Sequence, residues 1–412
     1  MLLLVTIVVG CSAVYLWSRP LVVPPVVEPV VKPVNVTLGV ITYDPVITRH
    51  FDYIADSTID EVNTYAAEKG SSIRFNFVSA KPGGIEVALG NVAELRSTQG
   101  VKIFLGFDES EAMCASLSYA MSNHVILMGV PLIHHPSSAL PGDEMFRVAP
   151  NLRQIYGVAV SLVKVMGFDG LLVIHRGSSW ADGVETALSD ALGQEREAAV
   201  RYDVGATEYS ATLDLAATQL EGLVGKYGVD HVAVVLVGAG ESVTVLEEAS
   251  GRDGPLAAPW IILNESTNPY NIEAELPDVS KINATNARLI SVKMEPQTDN
   301  AVFAELHTGY AATHPPEGDS LGLIDASFHD SIWVACLSVL EANTTDSEVL
   351  KGVIPGVANG YTGASGRVLL DANGDRIVYY DVYEAKFTGG TSTWVKSGRY
   401  DAATGQVTLG GE

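Results

Sequence analysis

"VKIFLGFDESEAMCASLSYAMSNHVILMGV", residues 101–130, carries the fold of this chain in one stretch. Two short runs, 101–107 (apolar but for Lys102) and 125–130, bracket a segment with helical spacing over 108–123. Short runs that are apolar at every position belong to strands covered on both faces. A helix between two such strands makes them neighbours in a parallel sheet. Asp108-x-x-Glu111 at the head of the helix predicts a capping pattern.

The same alternation extends to both sides. Residues 35–43, "NVTLGVITY", are apolar and β-branched, which predicts a strand, and helical spacing follows over 50–69 until Gly70. "IRFNFVSA" (73–80) alternates as a strand, and 85–98 reads as a helix. A second series then runs helix 151–166, strand 170–175, helix 181–193, strand 198–204, helix 209–227, strand 231–238, helix 241–250 and strand 259–265. The tail adds a strand at 287–292, helices at 299–312 and 326–342, and a hairpin over 366–387. Its turn, Asp371-Ala372-Asn373-Gly374-Asp375, also looks like the start of a calcium loop. The downstream bidentate Glu is missing at the proper spacing, so a plain hairpin turn is expected. The expected fold class is α/β, with two doubly wound Rossmann-like lobes in tandem. Lobe 1 is expected over 36–152 and 293–345, and lobe 2 over 153–292 and 346–412, with the lobe of the C-terminal hairpin left open.

The N-terminus reads differently. Met1 to Val9 is apolar without a break, too short to span a bilayer, which takes about 20 residues, and suited to a signal-peptide core. Val8-Val9-Gly10-Cys11 resembles a lipobox, in which small residues precede a cysteine that is lipidated after cleavage. No Lys or Arg precedes the apolar core, so three readings stay open: a lipid anchor on Cys11, an uncleaved anchor over 1–17, and a buried cysteine. Residues 1–18 are thus expected to be a signal peptide or membrane anchor. Residues 19–34, "RPLVVPPVVEPVVKPV", carry five prolines, which favours extended polyproline II. A stalk over 19–35 that lifts the lobes off the outer face of a membrane is expected.

Composition excludes several functions. The formal net charge of the 412 residues is -24, the sign opposite to that of a nucleic-acid binder. Spread acidity gives solubility and attracts cationic solutes. Three cysteines (Cys11, Cys114, Cys336) are too few for a disulfide framework or a cysteine-rich zinc site. Whether Cys114 and Cys336 form a bridge stays open. No dinucleotide fingerprint, Walker sequence, Gly-x-Ser-x-Gly elbow or His-Glu-x-x-His is present. His134 and His135 are adjacent, and adjacent residues of an extended loop point to opposite sides, which is poor geometry for a shared metal. No cofactor, no metal and no catalytic set are expected.

Several stretches resemble the type I periplasmic solute-binding proteins, nearest to the branched-chain amino acid and amide receptors of ABC importers. They are "MFRVAPNLRQIYGVAVSLV" (145–163), "VIHRGSSWADGVETAL" (173–188), "DASFHDSIWVACLSVLEA" (325–342) and "GASGRVLLDANGDRIVYYDVYE" (363–384). In doubly wound sheets a ligand sits at the carboxyl ends of the strands. The resemblance implies Ser110 and His134 at a carboxylate, Trp180 covering the ligand and Glu265 on its ammonium. The strand-end rule adds Glu111 and Gly240. Glu109 and Glu111 flank a helix start that would otherwise receive an anion, which disfavours an anion there. A cationic or neutral nitrogenous solute gains by this. The resemblance implies an extracytoplasmic, monomeric receptor with a small nitrogenous solute and a membrane permease as partners, closing by a hinge. The alternative is a ligand-sensing or adhesive ectodomain on the same fold, and a secreted amidase-type enzyme ranks below both.

Overall fold

The computed structural model describes residues 34–131, 141–150, 154–252, 257–264, 279, 288–294, 300–314, 320–388 and 391–410. The expected anchor and nearly all of the stalk, Cys11, His134 and Glu265 lie outside the described residues.

The first series gives β1 (Val34–Ile41), α1 (Pro45–Glu68), β2 (Ile73–Ser79), α2 (Ile85–Gln99), β3 (Ile103–Gly106), α3 (Ser110–Asn123), β4 (Ile126–Gly129) and β5 (Met145–Pro150). The second gives α4 (Gln154–Met166), β6 (Gly170–Arg176), α5 (Ser179–Leu192), β7 (Glu197–Tyr202), α6 (Ser210–Tyr227), β8 (Val232–Gly238), α7 (Ser242–Ser250), β9 (Trp260–Asn264) and β10 (Leu289–Met294). The tail forms α8 (Ala301–Thr313), α9 (Leu323–Ala342), α10 (Ser347–Gly360), β11 (Thr362–Gly363), β12 (Gly366–Arg367), β13 (Leu369–Leu370), β14 (Asp375–Ile377), β15 (Tyr379–Thr388), β16 (Thr391–Asp401) and β17 (Gln406–Leu409).

These strands make two large sheets, ordered β13-β14-β5-β4-β3-β1-β2 and β17-β16-β15-β10-β9-β8-β6-β7. The opening stretch behaves as its pattern demands. Every residue of β3 and β4 is buried, and the two pair in parallel, Ile103 opposite Ile126. The architecture is the two-lobe type I periplasmic-binding fold, two parallel-dominated sheets flanked by helices.

Local chemistry sets the helix starts. Asp44 accepts a bond from the Val46 amide at 2.6 Å, with Pro45 at the first helical position, so α1 begins there. Its buried stripe, from Ile47 through Phe51, Ile54, Thr58 and Val62, faces α9. The Phe51 and Phe328 rings stack at 3.8 Å between centroids. Helix α9 is long and apolar enough to cross a membrane, yet 83% of that stretch is buried within the protein, so it is a core helix of lobe 1.

One boundary differs from the sequence reading. Residues 347–377 pack with the first sheet, and only 379–409 join the second. The apparent single hairpin over 366–387 is divided between the lobes. β13 and β14 pair with each other, and β14 runs parallel to β5. β15 then pairs antiparallel with β10. The reason is the placement of Arg376, which is fully buried. Its guanidinium donates to the carbonyls of Val148 (3.0 Å), Ser365 (2.7 Å) and Arg367 (2.8 Å). Beside it the Asp375 carboxylate pairs with buried Arg147 of β5 at 2.5 Å. The turn is a plain one. Asp371 accepts from the Asn373 and Asp375 amides, and Gly374 has φ +75°, where a side chain would meet the Met145 carbonyl.

The chain passes between the sheets three times, after β5, after β10 and after β14. Gln154 ties the first passage to the third. Its amide nitrogen donates to the Arg376 carbonyl at 2.5 Å, and its amide oxygen accepts from the Val378 N–H at 3.1 Å.

Candidate ligand-binding cleft

Both sheets change winding direction once, and a crevice opens at such a switch point. In the first sheet the switch lies between β3 and β1, in the second between β8 and β6. The loops to inspect are therefore 42–44 and 107–111 in lobe 1, and 177–180 and 239–242 in lobe 2.

In lobe 1 a carboxylate spans the switch. Asp108, after β3, accepts from the amides of Tyr43 (2.6 Å) and Asp44 (3.2 Å), after β1. This corrects the capping expectation. Helix α3 starts at Ser110 with Glu109 as its N-cap and no side-chain cap bond. The Asp108 carboxylate is taken by the neighbouring loop because Phe107, in the left-handed region at φ 50°, turns the chain there. Burial raises the Asp108 carboxyl above its ordinary range despite those two amides. Glu109 is pushed up to about 7, first by sharing a hydrogen bond with Glu111, then by burial. Ser110 is buried at the first turn of α3, and Glu111 is exposed one residue on. Tyr43 stands half exposed beside them.

In lobe 2 a second carboxylate spans the switch. Glu241, after β8, accepts from the Tyr202 hydroxyl at 3.0 Å through Oε1. The Arg176 Nε lies 3.5 Å from the same oxygen. Arg176 ends β6 and Tyr202 ends β7, so this set draws on three adjacent strands. Burial and the Glu241 charge both raise the Tyr202 pKa, so the phenol keeps its proton and donates it. Gly238 makes the approach possible: a Cβ there would lie 2.5 Å from Ser242 Oγ and 2.7 Å from the Tyr202 hydroxyl. Gly240 is the opposite case, since a Cβ there would meet nothing within 4 Å among the described residues. Sequence reasoning selected Gly240 but missed Arg176 and Tyr202. The signal was a charged or polar residue closing an apolar strand run, which alternation alone does not separate from a strand's solvated end.

Trp180 sits in the first turn of α5, 4% exposed, and packs into the apolar core with Ala181, Val184 and Leu188. Its indole N–H is buried without a hydrogen bond among the described residues. His329 and Asp330, part of one resemblance stretch, are buried as a pair at 2.9 Å, and Asp330 accepts from the Ala364 and Ser365 amides. That pair is structural. Cys114 and Cys336 are both free. Among the described residues His124, Glu144 and Glu348 bring ligand atoms within 4.8 Å of one another. The Lys351 ammonium, 3.0 Å from Glu144 and 2.9 Å from Glu348, already supplies the positive charge there.

No family model matches the chain. An uncharacterized protein of Methanocaldococcus jannaschii is 22% identical over 402 residues, covering 91% of this chain and 89% of that protein. A branched-chain amino acid ABC transporter protein of Rhodospirillum rubrum, described as putative in that role, has a similar structure: TM-score 0.62, 15% identity, 88% of this chain and 100% of that one. So has an ABC transporter substrate-binding protein of Desulfitobacterium hafniense, solved with leucine: TM-score 0.53, 15% identity, again 88% and 100%. At this identity the likeness establishes the fold.

Proposed function

We propose that this protein is an extracytoplasmic solute-binding receptor of an ABC importer, taking a small amino acid, amide or other nitrogenous solute between its lobes. The observation that carries this reading is the pair of switch-point edges, one per lobe, each spanned by a held carboxylate: Asp108 by two amides of the β1–α1 loop, Glu241 by the residues that close β6 and β7. Ordered polar groups at strand ends recognise a small solute without being rebuilt on binding. The three passages between sheets supply a hinge, so that a solute touching both edges would favour the closed arrangement. The leucine in the Desulfitobacterium structure supports an amino acid as the first class to try. Ser110 and Glu111 would contribute from lobe 1 and Gly240 from lobe 2, with Trp180 backing the lobe 2 edge from the core. His134 and Glu265 join the set as candidates by position in sequence. Cys11 would hold the protein on the outer face of the membrane, where a permease reads the closed form.

A thermal-shift screen of L-leucine, L-isoleucine, small amides and polyamines tests the receptor reading. A saturable rise in melting temperature is expected for at least one class. No shift with any member would remove the reading. Detergent partitioning of the native form and of Cys11→Ser tests the anchor separately, with loss of partitioning expected for the variant.

A further inference from the structure

We infer that Glu241, held by Tyr202 and Arg176 at the lobe 2 switch point, is a specificity-determining anchor for a cationic group on the solute's side chain, a guanidinium or a side-chain ammonium. The inference rests on the receptor reading above and names the head group that its lobe 2 edge selects.

Four observations converge. The Glu241 Oε1 is already engaged by the Tyr202 hydroxyl at 3.0 Å and by Arg176 at 3.5 Å, while Oε2 takes no hydrogen bond or ion pair among the described residues. A carboxylate fixed through one oxygen presents the other as a preorganised acceptor, and charge-assisted bonds to a cation are the strong ones. Second, the Ser242 hydroxyl, one residue on, is fully buried and has no partner among the described residues. A buried hydroxyl left unmatched is costly, and it lies beside Gly238 with the Tyr202 hydroxyl. Third, Gly240 beside Glu241 is exposed, and a Cβ there would meet nothing within 4 Å among the described residues. Fourth, the local charge is negative. The groups around Glu241 are Arg176 from β6, Tyr202 from β7, Tyr209 before α6 and Glu248 from α7, whose two oxygens lie 3.2 Å from the Tyr209 amide. One guanidinium thus stands against two carboxylates. A cation entering there meets one ion pair plus one uncompensated charge, whereas an anion meets net repulsion.

The test compares two solutes that differ in charge and hardly in shape. L-Arginine and L-citrulline share a backbone and a planar end group, cationic in the first and neutral in the second. Calorimetry on the full chain is expected to show L-arginine binding at least about tenfold more tightly than L-citrulline. Glu241→Gln is expected to bring the two affinities within about twofold of each other by weakening L-arginine alone. Tyr202→Phe keeps the ring and removes only the bond that positions Glu241, and it should reduce the preference part-way. Gly240→Leu is expected to leave the melting temperature unchanged, because the position is exposed, and to weaken binding of both solutes by its bulk. A merely structural role for the Glu241 cluster would lower stability and weaken both solutes equally, which overturns the inference. So would a wild-type protein that binds L-leucine but shows no preference for L-arginine over L-citrulline, and in that case the receptor reading survives. A wild-type protein that binds none of the three, nor any member of the wider screen, removes the receptor reading and this inference with it.

Discussion

Glu197 shows what burial does to a single side chain. Glu197, part-buried on β7, has its pKa pushed up to about 7 by burial, with repulsion from Glu185 adding to it and a Ser189 hydrogen bond opposing it. An acid raised in the folded state binds its proton there before the unfolded chain does. Its contribution to stability therefore grows as pH falls from above about 7 towards its ordinary 4.5, and is lost as pH rises. Glu197→Gln is expected to raise the unfolding free energy from urea titration at about pH 8 by on the order of 1 kcal/mol, with a higher midpoint, and to change little near about pH 5. Equal midpoints at both values would show that the charge is solvated. Arg376 is the reverse case. Burial lowers its pKa to about 10, yet it keeps its proton and satisfies carbonyls from three segments. Arg376→Met leaves those carbonyls without a donor and should cost about 3–5 kcal/mol in denaturant unfolding, and Arg376→Lys should not rescue it, because an ammonium cannot fork. None of this was legible in sequence. An arginine inside "GDRIVYY" reads as the solvated position of a hairpin strand, and its burial follows from neighbours more than 200 residues away, at Val148 and Arg147.

At the level of elements, much was legible. Strands β3, β4, β6 and β8 are apolar runs buried along nearly their whole length, and each fell within two residues of its pattern. The start of α3 did not, because the Asp108 side chain had a choice between its own helix and the β1–α1 loop. Two amides in a partly enclosed loop outcompeted an exposed cap. The passages between sheets hold a prediction of this scale. Gln154 crosslinks the start of α4 to the strand leaving lobe 1 through two bonds. Gln154→Ala should lose about 1–3 kcal/mol of stability and widen the spread of lobe orientations. Small-angle scattering without solute is expected to show a larger radius of gyration than wild type. A superimposable scattering curve would mean that the other passages alone set the hinge.

Over the whole molecule, the formal net charge of -24 repels itself in the compact state. Raising sodium chloride from about 10 mM to about 300 mM shortens the screening length below the spacing of surface charges, so the melting temperature is expected to rise. A fall would mean that exposed attractive pairs such as Arg201–Asp182 and Lys386–Glu384 outweigh the repulsion. The alternation of apolar runs and helical spacing was enough, by itself, to determine two parallel-dominated sheets and their tandem order, because period and length are local properties that each segment satisfies alone. Only the tertiary structure decided that the apparent C-terminal hairpin is shared between lobes, that Trp180 turns into the core, and that Arg176, Tyr202 and Glu241 meet. Those outcomes depend on which strand lies beside which, and Tyr202 and Glu241 are brought together across 39 residues by the order β8-β6-β7. Strand order is chosen by the packing of whole faces, in which every segment contributes and none carries the answer.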